Sequence, residues 1–186
     1  MGHPPGAVCL PSPAYVGLAP AVARIGASWG ATPAELVTLL GDDGPPGADQ
    51  LAAIAWVLSP DRGQLLLVEH RTYGWSCPGG HVEHGEWPST AATRELEEES
   101  GLHLAPVDDD PVTLTLVHAP ADSIGPPHRH WLLGYRFVAD PATPLVPERD
   151  PLAWHPASAL PRDVIADIPP LWAFVRRLPL PGSTVA

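Results

Sequence analysis

The chain has 186 residues and a formal charge of −11, and all ten of its basic residues are arginine. An acidic balance argues against broad binding to nucleic acid or anionic membrane, both of which want a basic surface. The lack of lysine excludes a phosphate loop ending in Gly-Lys-Ser/Thr and a Schiff-base amine.

That length suits one domain of about 130 to 150 residues plus an extension. Residues 1–13 are rich in Pro and Gly and read as irregular. Tyr15 to Trp29 has apolar residues at roughly helical spacing, interrupted by Gly17, Pro20 and Gly26. Thr32-Pro33-Ala34-Glu35 forms a capping box and predicts a helix to about Leu40, stopped by Gly41. The turn cluster at 41–47 marks a boundary between a helical or irregular extension, residues 1–48, and a domain over 49–180, with 181–186 as a tail. Packing on the core is the expected role of the extension; covering the site or forming a homodimer contact are the other two.

Leu51 to Leu58 and Gln64 to His70 are apolar runs joined by Ser59-Pro-Asp-Arg-Gly63, and they read as two strands and a turn. Val112 to Val117 and His130 to Ala139 read as strands, with a loop over 119–129 between them. Asp167 to Leu178 reads as a closing helix with Trp172, Phe174 and Val175 as core candidates.

Between these strands, Pro88 suits a first helical turn, Ser89 is a local cap, and Gly101 supplies a left-handed stop. At about 100° per residue Glu95, Glu98 and Glu99 share one face of that helix, while Glu97 points nearly opposite. Like charges so spaced repel, and a divalent cation reverses the sign. Carboxylate oxygens suit Mg²⁺ or Mn²⁺. The plainer reading is a solvated acidic face.

The surrounding residues decide between the two. Gly80, Glu86, Arg94-Glu95-Leu96, Glu98-Glu99 and Gly101-Leu102 match all nine specified positions of the pattern G-x5-E-x7-R-E-U-x-E-E-x-G-U, with U a bulky aliphatic. This stretch resembles the signature of the Nudix hydrolases, and Trp75-Ser-Cys-Pro-Gly79-Gly80 resembles the family's approach to it. Cys77 stands where Leu or Phe is commoner and reads as a small apolar substitution.

The resemblance implies an α/β/α sandwich around a mixed sheet, with Trp154 on a strand after an acidic loop and a short helix starting over Ala157 to Leu160. It implies one to three Mg²⁺ or Mn²⁺ ions held by Glu95, Glu98 and Glu99, with Gly80 and Glu86 completing the set. Arg94 would orient the carboxylates by pairing with Glu86. The general base stays open among Glu95, Glu98, Glu99 and a carboxylate of the acidic loop before Trp154, Glu148 first and Asp150 in reserve. Arg71, Gly79, Gly80, His128 and Arg129 are candidate substrate contacts. His128 and His130 lack ligand spacing.

The activity implied is hydrolysis of a pyrophosphate bond in a nucleoside diphosphate linked to another group: a nucleoside triphosphate, an ADP-ribose-like molecule or a nucleotide sugar. The partner is then a small nucleotide, with no stable nucleic-acid complex. A non-catalytic nucleotide-binding module of the same fold is the alternative, and an isopentenyl-diphosphate isomerase a weaker one, since Cys77 is not in that motif's setting. Two cysteines without paired spacing argue against structural zinc and fit a reducing compartment. No signal-like start and no spanning apolar run appear, so a soluble, cytoplasmic protein is expected.

Overall fold

The computed structural model describes residues 50–71, 74–83, 86–108, 110–119 and 127–180. The helices expected before residue 41, the boundary at 41–47 and the tail at 181–186 lie outside them. In chain order the elements are β1 (Gln50–Leu58), β2 (Gln64–His70), β3 (Gly74–Ser76), β4 (Gly79–His81), α1 (Pro88–Ser100), β5 (Thr113–Ala119), β6 (His128–Val138), β7 (Leu152–Pro156) and α2 (Ile168–Val175).

The strands form one mixed sheet in the order β3-β2-β1-β6-β5, with β4 also on β1 and β7 also on β2. β1 and β6 run parallel from Gln50↔His130 to Leu58↔Val138, and the other pairs are antiparallel. β1 shares one edge between two partners. Leu58 pairs with Leu65 of β2, while Ala52 to Ile54 pair with β4. The chain after β2 therefore returns into the gap where β1 and β2 part, which brings the Pro-Gly-Gly loop to that end of the sheet.

Alternation along β1 and β2 sends side chains to two separate cores, as a period of two requires. Ala53, Ala55, Val57 and Leu66 pack with Ala91, Ala92 and Leu96 of α1. Trp56, Leu58, Leu65 and Leu67 pack with Leu171, Trp172 and Val175 of α2. The expected helix-sheet-helix layering is thus present. Gly134 serves the second face: an added Cβ would stand 2.3 Å from Trp56 Nε1, which donates to Thr113 Oγ1 at 2.9 Å. Buried Arg136 makes a two-pronged pair with Asp108 and donates to the carbonyls of Leu178 and Pro179, fastening the segment after α2 to the sheet.

Several expectations are corrected. β6 begins at His128, so His128 and Arg129 lie on a strand, paired with Ala119 and His118, and not in the preceding loop. No helix starts at Ala157; the chain turns there, with the Ala159 N–H on the Pro156 carbonyl at 2.9 Å. The closing helix is shorter than expected, and Phe174 is exposed, whereas Trp172 and Val175 are buried. Ser89 is not a cap. Pro88 takes the first helical position, Trp87 is the N-cap residue and makes no side-chain cap bond, and the Ser89 carbonyl accepts from Thr93 Oγ1. Gly101 does close α1 in the left-handed region, with φ of 71°.

Candidate active site

The glutamates stand on α1, whose apolar face (Ala91, Ala92, Leu96) is buried against the sheet. That anchorage fixes the rotation of the helix and so turns Glu95 and Glu99 toward the Pro-Gly-Gly loop. Glu97 points away and meets His103 Nδ1 at 3.0 Å on the surface.

Each inward carboxylate is held by the loop or by Arg94. The Glu95 side chain fills the space a side chain at Gly80 would take. Glu99 Oε2 accepts the Gly79 N–H at 3.0 Å. The pair expected between Arg94 and Glu86 is present as a fork, with Nε to Oε1 at 3.0 Å and Nη2 to Oε2 at 3.1 Å. Arg94 Nη1 also reaches Glu95 Oε1 at 2.7 Å and Glu98 Oε2 at 3.4 Å, and Nη2 donates to the His81 carbonyl at 3.1 Å. One guanidinium therefore ties helix, loop and three carboxylates together. Planar and always charged, it does so with fixed geometry.

Burial, more than neighbouring charge, works against ionisation of Glu95 and Glu99. Burial raises the proton affinity of Glu95, against the lowering effect of Arg94, with Glu98 and Glu86 adding to the rise. Burial pushes Glu99 further, up to about 8, reinforced by the charges of Glu95, Asp150 and Glu148 and opposed by the Gly79 N–H. Glu86 moves the other way: although burial acts to raise it, the Arg94 hydrogen bond holds it below the ordinary carboxylate range.

Such carboxylates fit a hard divalent ion by donor chemistry, since a cation among them would offset the burial, and the lesser repulsion, that raise Glu95 and Glu99. Among the described residues no three His, Cys, Asp or Glu side chains are already gathered into an ion-sized cage. Glu95 and Glu98 are instead engaged with Arg94, and Glu99 with the Gly79 N–H.

The acidic loop before β7 meets this end of the sheet through His70, at the end of β2. His70 Nε2 lies 4.0 Å from Glu99 Oε1 and its Nδ1 3.6 Å from Asp150 Oδ2. Burial lowers the proton affinity of His70, against the pull of Asp150. Sequence reasoning missed His70, which belongs to no motif and reads as the last residue of a strand. Asp150 is 25% exposed and in this bridge, while Glu148 is 50% exposed and pairs with Arg149 at 3.1 Å. Arg71 is 89% exposed and 3.7 Å from Asp150.

His81 and His130 meet edge to face with Nε2 atoms 3.0 Å apart, next to the backbone that Arg94 holds. Arg129 is half-buried on β6; the side chain of His128 lies outside the described residues. Cys77 is buried, and burial raises its thiol far above the usual range, with the Glu99 charge adding to the effect.

A family model described as the NUDIX domain matches residues 49–176. The chain is similar to an m7GpppN-mRNA hydrolase of Danio rerio, 36% identical over 99 residues, 48% of this chain and 33% of that protein. It is also similar to an RNA pyrophosphohydrolase of Saccharophagus degradans, 44% identical over 55 residues, 28% of this chain and 32% of the relative. The chain thus spans about a third of the length of these curated relatives. A crystal structure of a NUDIX-family hydrolase from Clostridium perfringens shares the fold, with a TM-score of 0.55 at 20% identity, covering 68% of this chain and 95% of that one.

Proposed function

Because the chain belongs to the NUDIX family, whose model spans well over half of it, we infer that it hydrolyses a pyrophosphate bond in a nucleoside diphosphate linked to another group. The observation that carries this reading is the placing of Glu95 against Gly80 and Glu99 on the Gly79 N–H, two half-buried carboxylates with raised proton affinity beside an exposed third, Glu98. Glu95, Glu98 and Glu99 would hold one to three Mg²⁺ or Mn²⁺ ions, with Glu86 and Gly80 at the periphery. When bound, such ions activate water, bridge phosphates and offset charge on the leaving group.

The chain's own groups do the rest. Arg94 keeps Glu86, Glu95 and Glu98 aimed while substrate enters. A carboxylate must take the proton of the attacking water, within hydrogen-bond reach or through one further water. Geometry favours Asp150 over Glu148 as the loop carboxylate, because His70 stands between Asp150 and Glu99, 3.6 Å from one and 4.0 Å from the other. Arg71 and Arg129 are the candidate phosphate contacts.

Two named relatives act on mRNA or RNA, but the acidic balance of this chain supports a small nucleotide instead. The isomerase reading is disfavoured by Cys77, which is buried as a neutral thiol and unsuited to attack. The non-catalytic module is disfavoured by the complete carboxylate set.

Incubation with Mg²⁺ or Mn²⁺ and a panel of nucleoside triphosphates, ADP-ribose and nucleotide sugars should release a nucleoside monophosphate from at least one member. Glu98→Gln and Glu99→Gln should each lower turnover by on the order of 10²-fold or more, the scale of several kcal/mol of lost charge stabilisation. Activity unchanged in both variants would refute the assignment.

A further inference from the structure

At the other end of β2 from His70, the turn Ser59 to Gly63 and the end of α2 border an open cavity of about 450 Å³ lined by Arg62, Ala173, Arg176 and Arg177. We propose that this cavity is a second binding site, for a small phosphate-bearing anion such as inorganic phosphate, pyrophosphate or a nucleotide's phosphate end. Three of the ten arginines of an acidic chain converge on it, and no lining residue is acidic.

The contrast with four other arginines carries the argument, together with the convergence of these three on one space, which the exposed Arg162 does not share. Arg71, Arg94, Arg136 and Arg149 each meet a carboxylate. Among the described residues Arg62, Arg176 and Arg177 have no such partner, so three like charges face one space and repel. An anion removes that repulsion, and phosphate oxygens match the guanidinium fork.

Two of the three are set in place beforehand. The Arg176 guanidinium lies over the Trp172 ring at 5.9 Å. Arg62 donates to the Leu178 carbonyl at 3.2 Å. It also adopts φ of 58°, where glycine or asparagine costs less, and among the described residues it is the one non-glycine residue with positive φ. A turn built by Ser59 imposes that conformation. Ser59 Oγ accepts the Gly63 and Gln64 N–H groups, and the Asp61 carboxylate is turned back onto Ser59 and Gly63.

The plainer account is that cations favour a helix C-terminus. It covers Arg176 and Arg177 but does not bring Arg62 to the same cavity from a turn. The helix end contributes about half a negative charge there, outweighed by three guanidinium groups. At ~3.3 Å per residue β2 separates this cavity from the glutamates by roughly 20 Å, so one phosphate group cannot occupy both.

The test is equilibrium dialysis of the full chain against pyrophosphate, phosphate and a nucleoside monophosphate in EDTA, where no metal draws anions to the glutamates. Wild type should show saturable, salt-sensitive binding. The exposed double variant Arg176→Gln/Arg177→Gln should weaken it about tenfold or more while keeping the wild-type circular dichroism spectrum. Arg62→Gln should weaken it too, and Glu98→Gln should not. No saturable binding to any of the three, binding unchanged in the double variant, or capture only by vesicles containing anionic phospholipid would overturn the proposal. None of these readouts involves turnover, so the result stands apart from that of the substrate panel.

Discussion

The carboxylate of Glu95 lies against the α-carbon of Gly80, so close that a Cβ there would stand 2.3 Å from Oε1. What such a Cβ meets is the far end of a flexible side chain, not backbone. Gly80→Ala should therefore swing Glu95 aside at little cost to folding. The expected outcome is a melting temperature within a few degrees of wild type and turnover reduced on the order of 10²-fold, the scale of misplacing a catalytic group. A variant that keeps full turnover would show that Glu95 need not stand where it does.

Arg94 reaches Glu86, Glu95, Glu98 and the His81 carbonyl at once. Arg94→Lys keeps the charge but supplies a point donor in place of a planar fork, and it cannot serve all four. Metal affinity, read from Mn²⁺ titration, should fall about 10- to 100-fold, as for other groups that orient ligands. Equal affinity in the variant would mean that charge alone is what Arg94 provides.

The glutamate face was readable because helix geometry fixes the relative positions of Glu95, Glu98 and Glu99 once the helix is placed, and burial of Ala91, Ala92 and Leu96 fixes its rotation. β1 and β2 were readable from apolar runs bounded by a turn. β3 and β4 were not, because strands of three residues containing glycine have no periodicity to detect and form only where the sheet leaves a gap. His128 and Arg129 read as loop for the same kind of reason: their polarity suggests a turn, yet the ladder with His118 and Ala119 extends the strand past its apolar part. His70 is legible only in three dimensions, since its partners Glu99 and Asp150 come from distant segments.

The two loop carboxylates should separate by kinetics. Asp150 stands beside His70, which reaches Glu99, whereas the Glu148 carboxylate is engaged with Arg149 at the surface. Asp150→Asn should lower kcat by about 10²- to 10⁴-fold if it takes the water proton. Glu148→Gln should change kcat less than tenfold. The reverse order would return the base to Glu148.

Stability in the absence of metal should depend on pH through Glu99. Its ordinary value of 4.5 is raised to about 8, chiefly by burial. Below pH 4.5 both folded and unfolded chains hold the proton, and this group contributes no difference. As pH rises from 4.5 to about 8, the unfolded chain loses the proton while the folded chain retains it, so stability falls across that window and stays reduced above it. Glu99→Gln removes the titration. In EDTA the variant should therefore have a flatter melting-temperature profile and should exceed wild type most clearly above pH 8. Adding saturating Mg²⁺ at that pH should raise the wild-type melting temperature more than the variant's, because an ion bound only by the folded chain stabilises it. Parallel profiles for the two proteins, with and without Mg²⁺, would show that Glu99 is neither strained by its burial nor a ligand.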